Sequence, residues 1–195
     1  MNDLKNEFGR GILAAWLTAK GDPRGAFLVS NSFDACKRSF AAAIIAFPGF
    51  LALTSFELAN LPGADTWRYL LVQMIAYGMG WAAFPIAALG VARQIGRVES
   101  WARYITVYNW ASVIILGLTI PATLVLSSSA ASQGVAGMVQ FMLLVAILGY
   151  EWRLARLVLQ ATPLQAALLV AIDTLLSFAI NGMAHQIAAS TPSLP

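Results

Sequence analysis

Five long apolar runs, separated by short polar breaks, dominate this chain. They cover roughly residues 39–58, 69–91, 105–126, 134–150 and 164–186. None alternates apolar and polar residues with a period of two, so they do not read as strands of a barrel. Most approach the ~20 residues that an α-helix needs to cross a bilayer. The fourth run is short, and Trp152, Leu154 and Leu157 extend it amphipathically toward an interface. The pattern predicts an all-α membrane protein with five transmembrane helices.

Residues 1–38 form the only sizeable stretch outside the runs. Within them GILAAWLTA (residues 11–19) is too short to span. Arg10 and Lys20 flank it, and Phe8, Ile12 and Trp16 recur every four residues. That spacing predicts a helix lying in the membrane interface. Gly21-Asp22-Pro23 reads as the turn that ends it, and Asn31, Ser32 and Asp34 as a new helix start. Asp3 and Glu7 argue against a signal peptide, as does the lack of a small-residue cleavage site. The chain thus divides into an interfacial segment (1–38), a five-helix domain (39–187) and a short tail (188–195). No repeat or second domain is visible.

Composition agrees with this division. Of 195 residues, 59% are hydrophobic and 11% charged, with a mean hydropathy of +0.71. A soluble domain carries about 25% charged residues, so there is too little polar surface here to cover a water-facing globule.

Charge then orients the chain. All but Arg68 of the 12 Lys and Arg residues lie before the first run, between the second and third, or between the fourth and fifth. The positive-inside rule predicts a cytoplasmic N-terminus and an external C-terminus in a bacterial inner membrane. The basic pI of about 9.3 follows from that topology and suits anionic lipid headgroups as partners. It does not imply nucleic acid, because the basic residues are spread over three loops with no dense patch.

Several residues stand out against the apolar background. Asp173 falls about 13.5 Å into the fifth run, near the bilayer midplane. A charged aspartate there costs roughly 2.5–3.5 kcal/mol on insertion scales, so it needs a partner, a wet cavity or a proton. Asp173, Ser177, Asn181 and His185 recur every four residues and share a sector of about 120°. This intramembrane polar stripe reaches about 18 Å from mid-membrane to the outer surface. It reads either as interhelical glue, with Gln140, Gln73, Asn109 or another subunit as partner, or as the lining of a wet half-cavity with His185 at its mouth. Asn109 with Thr106 is the only candidate for an inward path. Glu57, Asp65 and Arg68 read as an exposed ion-pair set, and Glu151 with Arg153 and Arg156 as a solvated or headgroup-facing helix end.

Other features concern packing. Ala76/Gly80 and Gly78/Ala82 are small-xxx-small pairs, which admit close approach by a second helix of this chain or of a protein partner, including a second copy. Pro48 and Gly49 form a possible hinge in the first run, and Pro85 and Pro121 are expected to kink the second and third. Enzyme readings find little. The single histidine and single cysteine, His185 and Cys36, are expected on opposite membrane faces, and no HExxH, GxSxG, P-loop or GxGxxG motif occurs. No catalytic residue, metal site or cofactor is expected.

A Tyr-rich start to the third run (Tyr104, Tyr108, Asn109, Trp110) leads to Pro121. The fourth helix then continues past Glu151-Trp152 into a turn at Ala161-Thr162-Pro163. With five spans, this pattern over residues 101–187 resembles the Yip-type five-span membrane protein family, in its bacterial form. The resemblance implies a non-enzymatic role in organising membranes or partner proteins. The eukaryotic members' Asp-Leu-Tyr-Gly-Pro-type motif has no counterpart in residues 1–38, so no small-GTPase partnership is carried over. The expected function is a scaffold, assembly factor or accessory subunit of a membrane complex. The alternative is a small proton- or ion-coupled transporter using Asp173.

Overall fold

The computed structural model describes residues 2–61, 63, 65–128 and 133–189. Among the described residues seven α-helices follow one another: α1 (Asn2–Ala19), α2 (Phe33–Ser39), α3 (Ala41–Ala59), α4 (Thr66–Gln94), α5 (Val98–Ser128), α6 (Gln133–Leu157) and α7 (Pro163–Ala189). A 3₁₀ turn, Pro23–Leu28, links α1 to α2, and no strand occurs among the described residues. Five helical stretches are long and apolar enough to cross a membrane: Phe33–Ala59, Thr66–Gln94, Val98–Leu126, Gly134–Leu157 and Pro163–Ala188. Each is longer than its hydrophobic run, because helical backbone continues beyond the apolar residues. The fourth is 24 residues and not short. The expected tail at 188–195 is helical through Ala189, and its remainder lies outside the described residues.

Local chemistry fixes the breaks. Asp22 caps the 3₁₀ turn and forms a two-point ion pair with Arg24, Oδ2 to Nη2 being 2.7 Å, which holds the Asp22 carboxyl below its ordinary range. Ser32 accepts from the Ala35 amide to start α2, and Asp65 accepts from the Trp67 and Arg68 amides to start α4. Thr162 and Gln165 cap α7 reciprocally, with Pro163 in its first turn. Gly96, at φ +69°, supplies the left-handed residue that turns α4 into α5.

Four helices close a ring: α4 packs on α5, α5 on α6, α6 on α7, and α7 back on α4. Helix α3 lies outside it, against α5 and α4. The α4–α7 seam is built from Ala76, Ile180 and Ala184, whose small and branched side chains allow close contact. Most of the core gathers at the end where α4 turns into α5 and α6 into α7, around Tyr104, Ile105, Leu154, Leu159 and Leu169. Arg97 donates to Gln160 across those two turns.

The N-terminal segment departs from the expectation. Helix α1 is 18 residues long, twice the predicted nine, and is more than an interfacial float. Ala14, Ala15 and Thr18 are fully buried. A Cβ at Gly11 would clash with the Trp110 ring at its Cδ1, so the missing side chain is what lets α1 lie directly on α5. Tyr150 Oη donates to the Ala15 carbonyl at 3.0 Å, and Arg153 Nη1 to the Ala19 carbonyl at 3.0 Å. Glu7 and Arg38 pair at 2.7 Å and tie α1 to α2. Phe8, Leu13 and Trp16 keep an exposed apolar edge.

Candidate functional site

Asp173 points into the ring and is 7% exposed. Helix α5 sets Tyr108 opposite it, and the phenol donates to Oδ2 at 2.7 Å. Phe84 of α4 holds that phenol in place, ring centroids 4.5 Å apart. From α6, Glu151 brings a second carboxyl to the space that Asp173 lines. The Tyr108 hydroxyl occupies one lone pair of Asp173.

The acid pair lines a cavity of about 320 Å³ to which every span contributes. Phe50 of α3, Tyr77 and Trp81 of α4 and Tyr108 of α5 form aromatic walls, while Gln73, Ser112, Ser177 and Asn181 add polar points. The aromatic wall is itself packed: the Phe50 and Tyr77 centroids lie 4.4 Å apart, Tyr77 and Trp81 6.1 Å, and Tyr77 donates to the Ala43 carbonyl. Among the described residues, no Lys, Arg or His lines the cavity. The two acids also border a crevice of about 280 Å³ between α6 and α7, walled by Leu144, Ile147, Leu148 and Phe178. They therefore stand between two spaces.

The polar stripe divides. Asp173, Ser177 and Asn181 line the cavity, but His185 does not. It borders a separate shallow cleft at the far end of the bundle, with Glu57 and Asn60. One turn of backbone separates Asn181 from His185, and the α4–α7 seam at Ala76, Ile180 and Ala184 occupies that level. Near that end Glu57 accepts from Tyr69 (2.8 Å), and Tyr69 accepts from the Gln73 amide (3.1 Å). Gln73 borders the cavity, so a polar chain runs from the exposed Glu57 inward.

Several expectations need correction. The hydrogen-bond partner of Asp173 is Tyr108, with Glu151 lining the same cavity, and not Gln140, Gln73 or Asn109. Gln140 is exposed on α6, Gln73 donates to Tyr69, and Asn109 donates to Ser39 Oγ at 2.8 Å. Glu151 is not a solvated helix end; it turns into the ring. Asn109 and Thr106 form no inward path, because Thr106 bonds the Ala102 carbonyl and faces a small cavity beside α1 and α2. Glu57 and Asp65 are engaged by Tyr69 and by the α4 cap.

The packing residues also separate. Ala76 is buried in the α4–α7 seam and Gly80 borders the cavity. Gly78 and Ala82 are exposed on another face of α4. Pro48 lies inside an uninterrupted α3, and a Cβ at Gly49 would press on Ile120 Cδ1, which makes Gly49 a point of close α3–α5 approach. Among the described residues, no group of three His, Cys, Asp or Glu side chains could hold a metal ion. Comparison with known protein families, characterised proteins and solved structures returns no match.

Proposed function

We propose that this protein is a small proton-coupled membrane carrier whose solute is an organic cation. The observation that carries the reading is the Asp173–Glu151 carboxyl pair in an aromatic-walled cavity that, among the described residues, contains no basic side chain. Carboxylates attract a cation, and the faces of Phe, Tyr and Trp rings stabilise ammonium groups that a hydrogen-bond donor set would not select. Two carboxyls in one cavity favour keeping a proton on one of them, and the arriving cation displaces that proton, which couples the two.

The site requires no covalent chemistry, so the protein is read as non-enzymatic. The Lys and Arg distribution supports a multi-pass arrangement in a bacterial inner membrane with α1 on the cytoplasmic side. The polar chain Glu57–Tyr69–Gln73 then approaches the cavity from outside. Asn181 speaks against the stripe as pure interhelical glue: its amide donates to the Ser177 carbonyl of its own helix at 2.8 Å.

One observation favours a second reading, a scaffold or accessory subunit. Gly78 and Ala82 leave a small-residue face of α4 exposed, and a Cβ at Gly78 would meet nothing within 4 Å. Another membrane helix could approach there.

The deciding experiment is uptake of benzyltrimethylammonium into proteoliposomes under an imposed proton gradient. Gradient-dependent accumulation, lost in Asp173→Asn, supports the carrier. No uptake, together with a smaller complex on a native gel for Gly78→Leu, supports the scaffold.

A further inference from the structure

A second cleft, of about 190 Å³, lies between α1, α5 and α6, far from the acid pair in chemistry. Its walls are almost wholly apolar: Ile114, Ile115 and Leu118 of α5 face Leu143, Ala146 and Ile147 of α6. Trp16 and Ala19 of α1 close one side. Two cations gather at the end of α1 that closes it, Lys20 just beyond α1 and Arg153 from α6. Lys20 Nζ lies 4.9 Å from the centre of the Trp16 ring. Arg153, reaching from α6, donates to the Ala19 carbonyl. Both basic residues are exposed. The neighbouring acid, Asp22, is already engaged by Arg24.

An apolar crevice inside a membrane bundle meets acyl chains, and two cations at its rim select for a negative headgroup. The same arrangement does not suit a free anion, which would find no polar contact in the cleft. It does not suit a zwitterionic lipid equally well, because its trimethylammonium or ammonium group would approach Lys20 and Arg153. We infer that the α1–α5–α6 cleft is a binding site for one acyl chain of an anionic phospholipid, whose phosphate is held by Lys20 and Arg153. The lipid would cover the edge that α1 leaves open and fasten the N-terminal segment to the bundle.

The test uses the full chain in mild detergent, titrated with phosphatidylglycerol or phosphatidylcholine and read by native mass spectrometry. The wild type should retain phosphatidylglycerol several-fold more than phosphatidylcholine. Lys20→Gln with Arg153→Gln should abolish that preference. Ala146→Leu, which fills the cleft while leaving both cations, should lower retention of phosphatidylglycerol, with an unchanged circular dichroism spectrum confirming that the fold persists. Equal retention of the two lipids by the wild type, or full retention by Ala146→Leu, would overturn the assignment.

Discussion

The Tyr108 hydroxyl on α5 and the Asp173 carboxyl on α7 meet at 2.7 Å across the inside of the ring. These two helices are not neighbours in the ring, so this hydrogen bond spans its interior. Tyr108 thereby fixes where Asp173 points.

Tyr108→Phe removes that bond and keeps the ring that packs on Phe84. A hydrogen bond to a charged or partly charged group contributes about 1.5–3 kcal/mol. The variant should unfold at a lower temperature in detergent and bind benzyltrimethylammonium roughly tenfold or more weakly, at about 1.4 kcal/mol per decade. Isothermal titration would check the second effect; unchanged affinity would show that Asp173 needs no positioning by Tyr108.

Glu151→Gln and Asp173→Asn should differ from removal of His185. Each amide replacement retains size and hydrogen-bonding capacity but loses the negative charge, so each should abolish cation binding while the protein stays monodisperse. His185→Ala should leave binding unchanged, because His185 borders a different cleft from the acids. A large loss in His185→Ala would mean that the far-end cleft and the cavity act as one site.

Gly11→Ala and Gly9→Ala form a matched pair within α1. The Gly11 Cβ would clash with the Trp110 ring, whereas at Gly9 nothing lies within 4 Å. Overpacking costs about 1–3 kcal/mol, and Gly→Ala in an open helix position gains up to about 1 kcal/mol. Limited proteolysis should therefore cut the N-terminal segment faster in Gly11→Ala and no faster in Gly9→Ala. Equal rates would show that α1 does not dock through Gly11.

The division between what the sequence discloses and what it hides has a physical origin. Five helices long and apolar enough to span are legible because only helices and closed barrels satisfy the backbone in lipid, and these runs lack the alternation of barrel strands. Asp173 is legible because it is alone in an apolar run. Glu151 hides for the opposite reason: Trp152, Arg153 and Arg156 surround it and make it resemble an interface. Its helix continues to Leu157 and the next begins at Pro163. On those bounds Glu151 lies about 9 Å above the turn and Asp173 about 15 Å, within reach of one another's side chains. Counting back from the Ala161-Thr162-Pro163 turn could have paired them. The docking of α1 left a weaker trace, since a glycine facing a tryptophan from a different helix has no periodicity to reveal it. The aromatic wall likewise draws on Phe50, Tyr77 and Trp81, which read separately as ordinary membrane aromatics.

A cation that displaces a proton from the two acids binds more tightly as pH rises, because the competing proton becomes scarcer. The most direct measurement is therefore proton release by purified protein in weakly buffered detergent on addition of benzyltrimethylammonium. The account predicts roughly one proton released per cation bound, affinity that increases with pH, and neither effect in Asp173→Asn. Binding without proton release, or release that persists in Asp173→Asn, would contradict it.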